Sequence, residues 1–147
     1  MIGRQHRRRV FRHIWASLCD YVAMFLYHFT NAWLGIITGG AINPTFSLWD
    51  DGTLPLVHFT TSTYIESLPD TLQNRRYRIT VEVDDAREWQ AWARANLTAA
   101  AATVLTSPRF GGDPRLWMVV DRDVLQDEWV DVHTRIGLEW LRIWSSA

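Results

Sequence analysis

The chain has no lysine. All fifteen of its basic residues are arginine, a bias that reflects coding and bears on no chemistry. It has a single cysteine, Cys19, so no disulfide can close within it. That thiol reads as a small buried hydrophobe in a reducing, cytoplasmic setting. Paired CxxC and HExxH spacings are absent, as are the GxxxxGK[ST] phosphate loop, the GxGxxG fingerprint and the GxSxG elbow. These absences argue against a standard zinc site, a P-loop, a Rossmann-type cofactor site and a serine-hydrolase elbow. No metal is expected. The formal net charge is −1, so no global field directs the chain to nucleic acid.

What is present is apolar and aromatic. The 147 residues are 48% hydrophobic, enough for one domain with a proper core, and a domain of this size buries roughly 70% of its unfolded surface. Nine tryptophans read mostly as packing residues. Arg4, Arg7, Arg8, Arg9 and Arg12 crowd the N-terminus, with His6 and His13 among them. That block reads as a solvated tail or as a phosphate-binding arm. From Tyr21 to Trp49 there is no Asp, Glu or Arg, a run that imitates a membrane anchor behind a basic start. His28, Asn31, Asn43, Pro44 and three glycines interrupt it, and membrane insertion is not expected. Met24 offers a second start, so residues 1–23 read as a basic extension or loose helix and residues 24–147 as the domain.

The order of elements follows from periodicity. Val10 to Ala23 has helical spacing. Phe25–Phe29 reads as a strand, and Asn31 can cap a short helix that Gly39-Gly40 ends. Pro44 forces an extended approach, and Asp50-Asp51-Gly52 is a turn. Leu56–Thr60 is a second strand; residues 62–75 form a loop with room for a short helix. Arg76–Val83 alternates Tyr77, Ile79, Val81 and Val83 against Arg76, Arg78, Thr80 and Glu82, a half-buried strand. Asp84 or Asp85 can cap a helix from Ala86 to about Ala102. Residues 107–114 form a loop, Leu116–Val120 and Glu128–His133 are strands, and Ile136–Trp144 is a last strand or short helix. The pattern predicts an α+β domain.

Leu26-Tyr27-His28-Phe29-Thr30, the Leu34–Pro44 segment and His58-Phe59-Thr60-Thr61-Ser62 together are similar to the motifs of small ADP-ribosyltransferase-like domains, including phage-encoded and DNA- or protein-modifying toxin members. The similarity covers residues 26–132. It implies compact, split, mixed or antiparallel sheets with a few helices. It also implies NAD as substrate and transfer of ADP-ribose to a macromolecular acceptor, protein or nucleic acid. Under that resemblance Glu128 is the catalytic acid, with Glu66 and Asp127 as alternatives. His28 would bond a ribose hydroxyl, and Phe59 or Tyr64 would stack on nicotinamide. Thr30, Thr60 and Ser62 would offer hydroxyls, and Arg78 would bind phosphate. The transition state would be oxocarbenium-like, stabilised by the acid. An RNA 2′-phosphotransferase using NAD, with the N-terminal arginines, Arg75, Arg76 and Arg78 as its basic groups, shares the fold. A non-catalytic interaction or inhibitor protein presenting its tryptophans is a third reading, and a membrane-anchored accessory protein a fourth.

Overall fold

The structure, a computed structural model, describes residues 23–45 and 55–146. The expected N-terminal helix, the arginine block, Cys19 and the Asp50-Asp51-Gly52 turn lie outside the described residues. Among the described residues no helix is long and apolar enough to cross a membrane.

The first strand, β1 (Met24–Thr30), leads through a tight turn into α1 (Trp33–Gly39). The expected cap at Asn31 is not made. Ala32 occupies the cap position, and the Asn31 side chain accepts from the Arg76 amide 2.8 Å away. The helix ends as its glycines demand, with Gly40 at φ 70°. Next come β2 (Ala41–Ile42), β3 (Val57–Thr60) and β4 (Tyr77–Val83). The loop between β3 and β4 holds two single 3₁₀ turns, Ile65–Ser67 and Asp70–Leu72.

The long helix expected from Ala86 to Ala102 is broken. Arg87–Glu88 forms a short strand, β5, followed by α2 (Trp89–Asn96) and α3 (Ala99–Leu105). Leu97 stays extended (φ −103°, ψ 158°) and packs into the same apolar cluster as Trp92 and Leu105. Thr98 then starts α3 anew, its hydroxyl accepting from the Ala101 amide. Glu88, not Asp85, holds the N-cap of α2, and Asp85 binds Arg122. The chain closes with β6 (Trp117–Val120), β7 (Val124–Leu125), β8 (Trp129–Ile136) and β9 (Glu139–Ser145). Glu128 precedes β8 in a 3₁₀ turn rather than lying on the strand.

Among the described residues seven strands form one sheet in the order β5-β6-β3-β1-β4-β8-β9, and β2 pairs with β7. Every pairing is antiparallel, so the fold is α+β. On one face Leu26, Phe59, Ile79, Val81, Met118, Val120, Trp129 and Val132 form the larger core under Trp33 and Ile42. On the other, Trp89, Trp92 and Leu105 cover Leu56, Trp117 and Val119. The alternation of β4 is as the sequence reads, since Ile79, Val81 and Val83 are buried while Glu82 is exposed.

The two inner ladders differ in length. β1 pairs with β4 along all seven residues, from Met24↔Val83 to Thr30↔Tyr77. β1 meets β3 at one pair, Tyr27↔Thr60. Beyond it, toward Thr30 and Val57, the ladder does not continue, and the backbone groups there need other partners.

Candidate functional site

That interruption opens into a cavity of about 750 Å³, within the range of small-molecule sites. Its walls come from both strands, from α1, from the segment around β2 and from the 69–75 loop. Of the residues singled out from the sequence, His28, Thr30 and Phe59 line it together.

His28 fills part of the interrupted ladder. Its Nδ1 lies 2.8 Å from the carbonyl oxygen of His58. A carbonyl only accepts, so Nδ1 carries the hydrogen and donates it. Nε2 is then left with a lone pair. Burial pushes the imidazole pKa down from 6.5 to about 4; the bond to the His58 carbonyl opposes this, and the neighbouring His58 and Arg75 add to it. At neutral pH the ring is therefore uncharged, and Nε2 is an acceptor for a hydroxyl. Phe59, its cross-strand neighbour, holds the ring edge-to-face at 5.7 Å. Thr30 is nearly buried, and its Oγ1 accepts from the Ala32 amide at 2.9 Å, fixing the turn into α1.

A stability prediction follows from the His28 shift. The unfolded chain takes up this proton below pH 6.5 and the folded chain only near 4. The stabilisation is thus complete above pH 6.5 and is lost as pH falls toward 4. At 1.36 kcal/mol per pKa unit the ceiling is about 3 kcal/mol, reduced because the residue is only half-buried. Urea unfolding at pH 7 and at pH 4.5 should show a shallower loss for His28→Phe than for the native chain. His133, also lowered by burial and by Arg78, contributes equally to both proteins. Equal losses would refute the assignment.

The remaining electrostatics of the cavity are one-sided. Arg75 is the only arginine, aspartate or glutamate among its described lining residues. Its guanidinium bonds the Asn74 side chain at 3.1 Å. Asn43, Thr45 and Thr71 add polar groups, while Trp89, Leu105, Phe110 and Trp117 make an apolar wall on the opposite side. Such a cavity suits a ligand with an anionic part and a flat apolar part.

The other sequence-based candidates lie elsewhere. Thr60 is fully buried, and its hydroxyl bonds Ser67 Oγ at 2.9 Å and accepts from the Ser62 amide. Tyr64 is 73% exposed and outside the lining. Arg78 sits between the rings of Tyr27 and Trp140, at 5.8 and 5.1 Å, and donates to the Thr63 carbonyl. Glu128 is 7% exposed, and both its oxygens bond Arg122 at 2.7 and 2.8 Å. Its Oε2 also accepts from the Leu125 amide. Glu66 and Asp127 are exposed and outside the lining. The structure does not bring any of these three acids to His28. Arg75, named from the sequence only as a basic group for RNA, lines the cavity as well, whereas the Trp89–Trp117 wall was not legible as cavity lining, because long-range pairing puts it there. Among the described residues no group of three His, Cys, Asp or Glu side chains is placed for a metal ion.

Compared with protein-family models, with curated proteins and with solved structures, the chain has no match.

Proposed function

We propose that the domain binds an NAD-type dinucleotide in the opening between β1 and β3, and that it moves ADP-ribose from NAD to a macromolecular acceptor. The observation carrying this reading is the convergence of His28, Thr30 and Phe59 on one cavity. They come from the two segments that resemble the ADP-ribosyltransferase-like motifs. A neutral His28 with Nε2 as acceptor suits a ribose hydroxyl. Arg75 suits the pyrophosphate, since a guanidinium bonds phosphate oxygens in a fork. In the transfer the bond from ribose C1′ to the nicotinamide nitrogen breaks and its electron pair leaves with nicotinamide. A nucleophile on the acceptor bonds C1′ and gives up its proton.

A second reading is binding without turnover, on the same cavity. It is favoured by the engagement of Glu128 with Arg122 and by the lack of any carboxylate among the described lining residues.

Titration calorimetry with NAD and a nicotinamide-release assay separate the two. Binding with release, in the presence of protein, DNA or RNA acceptors, supports transfer. Binding without release under all acceptors supports the second reading, and no binding at all removes both. Arg75→Ala should weaken NAD binding about 10- to 100-fold, the range for a lost hydrogen bond to a charged group. It should leave nicotinamide riboside, which carries no phosphate, nearly unaffected. Equal losses for the two ligands would show that Arg75 does not hold the phosphates.

A further inference from the structure

The sheet ends in a long, apolar edge. β9 is the last strand in the order and, among the described residues, pairs only with β8. Leu141 is 56% exposed and Ile143 43%, beside Ile136 and Leu138 at the hairpin tip. The opposite edge, β5, is two residues long. Natural edges are usually blunted by charges, proline or bulges. β9 has no proline, its charges are Glu139 and Arg142, and its bulge falls at Ile143, between the pairs Val132↔Trp144 and His133↔Arg142. Among the described residues the stretch Glu139–Arg142 is therefore regular and has no strand on its outer side.

We infer that β9 pairs with β9 of a second copy of this chain, giving a two-fold dimer with a continuous sheet. The side chains select the register. A two-fold axis perpendicular to the sheet keeps each face continuous, so one residue must sit opposite itself. With Arg142 on the axis, two guanidinium groups face each other, which is unfavourable. With Trp140 on the axis, Glu139 faces Leu141 and neither charge meets a partner. With Leu141 on the axis, the two leucines meet and Trp140 faces the partner's Arg142 on both sides of the axis. Arginine over tryptophan is the favoured cation–π pair. Trp140 is already held in place by Phe29 at 5.6 Å and by Arg78, and it stays half-buried, with ring surface left to solvent. The occupant that fits this edge is thus another β9, matched in both apolarity and charge.

Sedimentation and light scattering of the full chain should show a dimer at micromolar concentration. Leu141→Lys should weaken it at least tenfold by placing like charges on the axis, and circular dichroism should show it folded, since the side chain is exposed. In a Cys19→Ser background, Leu141→Cys should form an intermolecular disulfide under mild oxidation. Leu138→Cys, at a position 92% exposed, should not, although random collision would favour it. A monomer at hundreds of micromolar overturns the inference. Cross-linking at 138 as fast as at 141 overturns it as well.

Discussion

Gly112→Ala is expected to lower the unfolding free energy by about 2–5 kcal/mol. Gly112 has φ 77°, and a Cβ there would stand 2.6 Å from the Leu68 carbonyl carbon and 2.7 Å from the Leu68 and Ser67 oxygens. The left-handed conformation alone costs an L-residue roughly 1–2 kcal/mol. The clash is with backbone, which cannot swing aside as a long side chain would, and overpacking of this kind adds roughly 1–3 kcal/mol. The close approach has a purpose. It lets the Asp113 amide reach the Ser67 carbonyl at 2.9 Å. The Trp117 indole donates to the same oxygen at 2.7 Å. Together they anchor the 65–72 segment, whose Pro69, Thr71 and Leu72 line the cavity. Urea unfolding should therefore show the stability loss, and ligand binding at low denaturant should weaken with it. A change below 1 kcal/mol would mean that the segment is not fixed as described.

Arg122→Ala should cost about 3–5 kcal/mol, the usual penalty for leaving a buried charge without its partner. Arg122 lies between β6 and β7 and holds two carboxylates at once, Asp85 at 2.6 and 2.9 Å and Glu128 at 2.7 and 2.8 Å. These bonds raise its already high pKa, those to Asp85 first and those to Glu128 next. The triad ties the approach to β5, the β6–β7 connection and the turn before β8. Its exposed half, with Asp85, is worth little. The buried half, with Glu128, carries the effect. The double variant Arg122→Met with Glu128→Leu should therefore be more stable than Arg122→Ala alone, because it removes the buried carboxylate together with its cation. Thermal and urea unfolding of the three proteins decide this. A double variant less stable than the single would assign the cost to lost packing instead. The same pair makes stability a necessary control for any Glu128→Gln activity measurement.

Local patterns fixed much of the secondary structure. The alternation of Ile79, Val81 and Val83, the glycine stop at Gly40 and the break at Pro44 are properties of a few neighbouring residues, and periodicity reads those directly. His28, Thr30 and Phe59 were visible as candidates because their segments resemble the ADP-ribosyltransferase-like motifs. The helix break at Leu97 was not visible. Its helical spacing continues through residue 102, and only burial of Leu97 beside Trp92 and Leu105 makes an extended residue preferable there.

The sequence by itself determined an apolar, tryptophan-rich α+β domain with one cysteine and no standard metal or nucleotide motif, since composition and spacing act without knowledge of the fold. The tertiary structure decided which polar groups share a cavity. His28 meets His58 and shares a cavity with Arg75 where the ladder between β1 and β3 ends, and the turn before β8 places Glu128 against Arg122. Each of these contacts joins segments set apart by the register of the sheet, and no local pattern encodes that register.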